Sequence, residues 1–256
     1  MKRAIQSVLA AAGDLVFPAV CPSCRMHPAS ERGFLCEACR IELLNQIATI
    51  YCPRCGNTLG KHIPAPLSGC GLCPSPLPRF ETIVRLCEYA PPMRRVIRNL
   101  KSYPSSAYKN TLADMLATSL AQRDVEFDAV LPVPMHIRRR LLRGSNHVEP
   151  LAAAVAKRIG ATLDLSLVRT RNTPPQAHLP RTARLKNVKN AFHLRRPKRL
   201  ENATVLLIDD VTTTGATGDE CVRTLRRAGV GAVHFAVLAK TVHPSQREVE
   251  PAESST

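Results

Sequence analysis

Two hydrophobic patterns alternate along the second part of the chain. Short, nearly uninterrupted apolar runs predict buried strands, the first of them a strand or a hairpin, at 80–89, 128–134, 204–210 and 232–240. Between them, apolar residues at helical spacing predict helices at 92–101, 106–122, 147–160 and 215–229. Alternating strands and helices predict an α/β fold with a mostly parallel sheet and helices on both faces.

The beginning and the end of the chain follow other patterns. Residues 4–20 are apolar but interrupted by polar residues, and the run is too short to span a bilayer comfortably. It predicts an amphipathic surface or packing helix rather than a signal peptide or membrane span, and hence a cytoplasmic protein. We therefore expect four regions: an N-terminal helix, a cysteine-rich domain, the α/β domain and a disordered tail, at 1–20, 21–78, 79–243 and 244–256.

Eight of the ten cysteines form four CxxC pairs before residue 74. Each pair makes a knuckle that can point two thiolates at one metal ion, and two knuckles complete a four-thiolate structural zinc site. Eight ligands therefore predict two zinc ions. Pairing in chain order gives one site from the first four residues and one from the last four of Cys21, Cys24, Cys36, Cys39, Cys52, Cys55, Cys70 and Cys73.

Other interpretations of these cysteines stay open. The pairs could interleave, and His27 or His62 in the intervening loops could replace a thiolate. Redox dithiols and iron–sulfur ligation are further alternatives, although a redox motif is expected at a strand-to-helix junction. Cys87 and Cys221 lie outside the pattern and are predicted to be core residues.

A second motif, VLLIDDVTTTGAT at 205–217, begins within the third predicted strand. Its apolar residues predict a buried strand with Asp209 and Asp210 at the carboxyl end, where open α/β sheets bind ligands. The loop of small hydroxyl residues and Gly215 then leads into a helix, whose first N–H groups suit a phosphate. Two adjacent carboxylates beside an anion suit sugar hydroxyls or magnesium. An ordinary strand followed by a capped helix is the alternative.

Charge is concentrated in one segment. The formal net charge is +16, and residues 138–199 hold 16 Lys or Arg against two acidic residues. Solvated helix faces would explain such a segment, but clustering of this size favours an anion-binding face or loop, and the overall balance indicates nucleic acid or phosphorylated metabolites as partners.

The Asp-Asp-Thr motif closely resembles the PRPP-binding motif of type I phosphoribosyltransferases. The likeness extends to LPVPMHIRRRLLRGSNH at 131–147, to the N-terminal CxxC pairs and to Gln176, Leu179, Arg181, Arg184, Asn187 and Phe192. Together these features resemble the ComF family (competence protein F), in which a double zinc ribbon precedes a phosphoribosyltransferase domain. The resemblance implies a type I phosphoribosyltransferase-like fold preceded by a small zinc-ribbon domain built on four-cysteine sites.

The resemblance also implies residue roles. Asp209 and Asp210 would be the catalytic acids that hold the ribose 2′- and 3′-hydroxyls, directly or through magnesium. Lys101 and Arg143 would contact pyrophosphate beside the turn at 132–134, and 169–189 would be a loop that closes over PRPP. The remaining PRPP-binding residues would be Thr212, Thr213, Thr214, Gly215, Ala216 and Thr217. The family pattern is close to RGFNQ, whereas this chain has Ser145 and His147 in the aromatic and Gln positions.

Three functions remain open from the sequence. The first is a phosphoribosyltransferase that binds PRPP with magnesium and acts on an unidentified acceptor, in the service of DNA uptake during transformation. The second is a non-catalytic protein on the same fold that binds single-stranded DNA and works with a DNA-uptake helicase. The third is a purely structural zinc scaffold.

Overall fold

The computed structural model describes residues 20–30, 34–60, 68–102, 106–143, 146–172 and 186–241. Its centre is a five-stranded sheet in the order β1-β7-β6-β2-β3, and every neighbouring pair in it is parallel. A second, antiparallel sheet pairs β4 with β5. The strands are β1 (Ile83–Glu88), β2 (Ala129–Pro132), β3 (Thr162–Leu163), β4 (Leu167–Arg169), β5 (Phe192–Leu194), β6 (Thr204–Thr212) and β7 (Ala232–Lys240).

Six α-helices of the described residues surround this framework. The helix expected at the N-terminus and the expected disordered tail lie outside the described residues. None of the described helices combines the length and the hydrophobicity that a membrane span needs. The helices are α1 (Glu37–Ile47), α2 (Met93–Ser102), α3 (Ser106–Ala121), α4 (Ile137–Arg143), α5 (Val148–Ile159) and α6 (Ala216–Arg227).

Both faces of the sheet are buried, as the uninterrupted apolar runs predict. Side chains alternate along β6, so Leu206 and Ile208 join the core beneath α2, α3 and α5. Val205 and Leu207 enter the opposite core, which α6 covers. The predicted α/β fold, with a mostly parallel sheet and helices on both faces, is therefore confirmed.

The helix and strand predictions hold with informative exceptions. Gly160 ends α5 in the left-handed region, with φ +72°. The strand predicted at 204–210 instead continues to Thr212, because β7 pairs with it as far as the Thr212–Lys240 register. The sequence does not predict α1, α4, β3 or the small β4–β5 sheet. Helix α1 buries only Cys39 and Leu43 and therefore carries little apolar periodicity, and the other segments are short.

The cysteine-rich region packs directly against β1. The outward-facing amide of Ile83 donates to the Pro53 carbonyl oxygen at 2.7 Å, and the amide of Arg85 donates to the Tyr51 hydroxyl at 3.4 Å. The Arg85 guanidinium is buried 4.9 Å above the Tyr51 ring, and this burial lowers the pKa of the Arg85 side chain. Cys21, Cys36 and Leu43 join the same core as Val84 and Leu86 of β1.

We expect Gly218→Ala to destabilise the protein. An added methyl would lie 2.8 Å from Cε1 of Phe235, which is fully buried and packs against Phe80 with ring centroids 5.4 Å apart. Alanine improves helix propensity by at most about 1 kcal/mol, whereas overpacking costs about 1–3 kcal/mol. The free energy of unfolding in urea should therefore fall by about 1–2 kcal/mol.

Arg227→Ala is the matched control, since Arg227 is exposed on the same helix. Its effect should stay within about 0.5 kcal/mol. A Gly218→Ala protein as stable as the wild type would show that the Phe235 ring yields without cost and would contradict the packing described here.

Candidate functional site

Two clusters of four cysteines form in the order of the sequence. Cys21, Cys24, Cys36 and Cys39 make the first cluster, and all four Sγ atoms lie within 4.8 Å of one another. The second cluster meets the same limit and consists of Cys52, Cys55, Cys70 and Cys73. Pairing in chain order is thus confirmed over interleaving. His27 is in neither cluster, and His62 lies outside the described residues.

The cluster geometry fits tetrahedral zinc. Four thiolates at the usual Zn–S distance of about 2.3 Å would place their sulfurs about 3.8 Å apart. The Sγ–Sγ distances are 3.7 Å for Cys24–Cys36, 3.7 Å for Cys52–Cys73 and 3.7 Å for Cys55–Cys70. These separations are far longer than a disulfide bond. The clusters are therefore fitted for two structural zinc sites.

The thiols of one cluster differ in their tendency to ionise. Burial raises the pKa of Cys39 to about 12, whereas the backbone N–H of Met26 lowers the pKa of Cys24 to about 6. A divalent ion stabilises thiolates at both kinds of position, because coordinating thiols are deprotonated. Cys87 and Cys221 are fully buried in the two cores, as predicted.

A second candidate site lies where β2 and β6 end. The β2–β6 register stops at Pro132–Ile208, and the amide of Val133 donates to the Ile208 carbonyl at 2.7 Å. Strand β6 continues beyond this point with Asp209 and Asp210. The turn at 132–134 and the two acidic residues are therefore adjacent at one end of the sheet.

The two carboxylates lie on opposite faces of β6. The strand alternation places Asp209 on the α6 face, in line with Val205 and Leu207, and Asp210 on the α5 face. On that face Nε2 of His147 lies 2.7 Å from Oδ2 of Asp210, and the Val211 amide donates to Oδ1 at 2.6 Å. These two bonds orient the Asp210 carboxylate.

The residues beside His147 tie the site to the start of α5. The Asn146 side chain is buried, and its Nδ2 donates to the Val133 carbonyl at 3.3 Å. Its Oδ1 accepts from the amide of Val148 at 3.2 Å, so one amide side chain joins the turn after β2 to α5.

The threonine-rich loop joins β6 to α6. Gly215 has φ +79° immediately before the helix, a conformation that glycine adopts without strain. The hydroxyl oxygen of Thr214 accepts from the Ala216 amide at 3.4 Å, and Nζ of Lys240 donates to the Thr213 carbonyl at 2.8 Å. The loop therefore connects the acidic end of β6 to the start of α6 within three residues.

Of the other predicted site residues, some are described in full, whereas others or their side chains lie outside the described residues. Thr212 is a buried residue of β6 rather than part of the loop, and Thr217 lies in the first turn of α6. Lys101 and Arg143 occupy α2 and α4, but their side chains lie outside the described residues. Most of the predicted loop at 169–189 also lies outside them, since 173–185 are not described.

Sequence reasoning missed two residues that contact the predicted site. In the sequence, His147 is only a departure from the resembled pattern, and no signal connects it to Asp210, which lies 63 residues away in the chain. The sequence predicts Lys240 only as the last residue of a strand. A cationic residue ending an otherwise apolar strand is the signal that could have identified it.

Comparisons with known proteins agree with this architecture. The profile of the family described as "Double zinc ribbon domain" matches residues 12–77, and that of "Phosphoribosyl transferase domain" matches residues 148–254. The "DNA utilization protein YhgH" of Escherichia coli (strain K12) is 31% identical over 235 residues, which cover 89% of this chain and 100% of the relative. "Competence protein F" of Haemophilus influenzae is 30% identical over 86% of this chain and 96% of its own. The protein belongs to the ComF family.

Solved structures include a more distant match to this ComF-family protein. The glutamine PRPP amidotransferase from B. subtilis is 20% identical over 55% of this chain, with a TM-score of 0.38. The matched part is 30% of that enzyme's chain, so the ComF protein spans less than a third of its length.

We expect the purified ComF protein to contain two zinc ions per chain, one for each four-cysteine cluster. Cys55→Ser should lower the content to one ion per chain, because a structural site needs all four ligands. Elemental analysis after native purification measures this.

Cys87→Ala is the control, since Cys87 is a buried cysteine outside both clusters. It should retain both ions. Metal-free wild-type protein, or the same zinc content in Cys55→Ser and wild type, would contradict the assignment.

Proposed function

We propose that this ComF protein binds PRPP with magnesium at the carboxyl end of its sheet and transfers the phosphoribosyl group to an acceptor in the service of DNA uptake. One observation carries the proposal: the acidic end of β6, the turn after β2 and the start of α6 converge at this one end. Open α/β sheets bind their ligands there.

The loop from Thr213 to Thr217 suits the 5′-phosphate. The first amides of α6 lack carbonyl partners one turn earlier and carry the positive end of the helix dipole. Gly215 has no Cβ, which lets an anion approach the backbone closely. The threonine hydroxyls add hydrogen-bond donors to phosphate oxygens. Loop and helix thus offer several neutral donors to a phosphate.

Asp209 and Asp210 suit the ribose hydroxyls and a hard cation. Carboxylate oxygens are typical magnesium ligands, and magnesium would neutralise part of the pyrophosphate charge when bound. His147 acts as a positioning residue because its ring nitrogen holds the Asp210 carboxylate at 2.7 Å. Because the two carboxylates lie on opposite faces of β6, we infer that they contact the ligand from different sides.

The reaction requires the protein chiefly to stabilise developing charges and to exclude water from the reacting ribose. As the bond from the anomeric carbon to pyrophosphate breaks, positive charge builds on the ribose and negative charge on the leaving group. The two carboxylates would face the positive charge on the ribose. Basic side chains of the 138–199 segment, with Lys101 and Arg143, would face the negative charge on the leaving pyrophosphate. Closure of 169–189 over the ligand would exclude water, which competes with the acceptor.

A non-catalytic role in binding single-stranded DNA is the second candidate. The relatives named for DNA utilization and competence support it, and so do Arg195, Arg196 and Arg199, which are exposed around one pocket of the described residues. A DNA-uptake helicase would then be the protein partner. We place either activity in the cytoplasm, since none of the ten cysteines forms a disulfide and a reducing compartment keeps thiolates available for zinc.

We expect saturable PRPP binding in the presence of magnesium, measured by isothermal titration calorimetry on the full chain. Asp210→Ala and Thr214→Ala should each weaken binding about tenfold or more, since each removes a hydrogen-bonding group from a charged ligand. Thr118→Ala is the control, because Thr118 is an exposed threonine of α3. Absence of binding at millimolar PRPP would refute the proposed ligand.

We expect the affinity for a single-stranded oligonucleotide to fall about 20-fold between 50 and 200 mM salt if three phosphates are neutralised. Fluorescence anisotropy measures this. Replacing Arg195, Arg196 and Arg199 with Gln should flatten the salt dependence. A control with the same charge change on exposed residues elsewhere, Arg94, Arg98 and Arg227 to Gln, should leave it steep. Salt-independent binding by the wild type would count against direct DNA contact.

A further inference from the structure

The second cysteine cluster is joined to β1 and to the segment just before it by several hydrogen bonds. Besides the Pro53–Ile83 bond, the Arg54 guanidinium donates to the Phe80 carbonyl at 2.7 Å and to the Pro78 carbonyl at 2.9 Å. The Thr58 hydroxyl donates to the Glu88 carboxylate and accepts from Nη2 of Arg85 at 2.7 Å. The knuckle from Cys52 to Thr58 is therefore fixed relative to the sheet.

Gly56 is the point where this knuckle contacts β7. Its amide donates to the Cys52 carbonyl at 2.7 Å, which closes the knuckle, and its φ of +76° is a conformation that favours glycine. A methyl added here would lie 2.9 Å from Cδ of Lys240 and 3.3 Å from the Ile83 side chain. The knuckle thus packs directly against the aliphatic part of Lys240.

Lys240 connects the knuckle to the threonine-rich loop through a hydrogen bond. It is the last residue of β7 and only 6% exposed, and its ammonium group donates to the Thr213 carbonyl at 2.8 Å. The next amide, that of Thr241, donates to the Thr212 carbonyl at 2.9 Å. A buried ammonium is costly unless it is well bonded, so the position of Lys240 constrains the position of the Thr213 carbonyl.

The hydrogen bond from Lys240 to the Thr213 carbonyl also orients the amide of Thr214. A peptide group is planar and trans, so its N–H points opposite to its C=O. When Lys240 holds the Thr213 carbonyl, the amide of Thr214 points away from Lys240. One backbone acceptor, the Thr213 carbonyl, and one backbone donor, the Thr214 amide, are thereby oriented from the side of the cysteine cluster.

We propose that the second zinc ribbon and Lys240 form a positioning unit for the threonine-rich loop, with Lys240 as its positioning residue. Zinc held by Cys52, Cys55, Cys70 and Cys73 would stabilise the knuckle, the knuckle seats the Lys240 side chain, and the ammonium group orients the Thr213–Thr214 peptide. This proposal makes the ribbon a structural part of the PRPP site rather than a separate attachment. It rests on the proposed function wherever PRPP affinity is used to test it.

The first arm of the test compares two glycines of the same ribbon in the full-length, zinc-loaded protein. Gly56→Ala forces the Lys240 side chain to move, whereas Gly71→Ala meets nothing within 4 Å. Amide hydrogen exchange of residues 212–217, measured without ligand, should be faster in Gly56→Ala and unchanged in Gly71→Ala. Both variants should retain wild-type zinc content.

The second arm removes the ammonium group away from the thiolates. Lys240→Met keeps an apolar stem for Gly56 to contact but lacks the donor, so exchange at 212–217 should again increase. Magnesium–PRPP affinity, measured by titration calorimetry, should fall about tenfold. Lys240→Arg keeps a cationic donor and should recover part of both losses, which a purely space-filling role of Lys240 would not produce.

Each result separates the coupling from the proposed ligand. If wild-type protein fails to bind PRPP, the proposed ligand is wrong, and hydrogen exchange still decides the coupling. Unchanged exchange at 212–217 in Lys240→Met overturns the coupling, as does recovery of nothing in Lys240→Arg. Should Gly56→Ala lose zinc or fail to fold, Lys240→Met carries the test, because its substitution leaves every cysteine ligand intact.

Discussion

The unequal pairing of β6 with its two neighbours is the constraint on which the rest of the structure depends. On one side β2 stops at the level of Ile208, whereas on the other side β7 continues to the level of Thr212. Beyond Ile208, Asp209, Val211 and Thr212 of β6 are therefore still paired with β7, whereas their β2 side gives way to a turn. This asymmetry places the acidic residues in a rigid strand next to an irregular segment, where polar groups can meet a ligand.

Much of the fold could be predicted because its determinants are local. Strong apolar runs such as 204–208 and 232–239 identify buried strands, and Gly160 ends its helix as glycine commonly does. Each CxxC pair also marks a metal-binding knuckle locally, although the sequence leaves the pairing of the knuckles open. These features need only short-range information.

What the sequence left undetermined depends on contacts distant in the chain. The extension of β6 through Asp209 and Asp210 exists because β7 pairs with it, and acidic residues alone suggest the end of a strand. His147 meets Asp210 from 63 residues away, and Lys240 meets Thr213 from 27 residues away. The sequence thus identified the candidate loop, whereas its supporting residues required the three-dimensional arrangement.

The contact between the ribbon and β1 has a consequence for solubility. β1 is the outermost strand on its side of the sheet, and the amides of Ile83 and Arg85 that point outward are bonded to Pro53 and Tyr51. An outermost strand with unpaired amides is a template for joining further chains, which folded proteins prevent by covering it. Because loss of metal from the second cluster would destabilise the knuckle that covers this edge, we expect it to favour self-association of the chains.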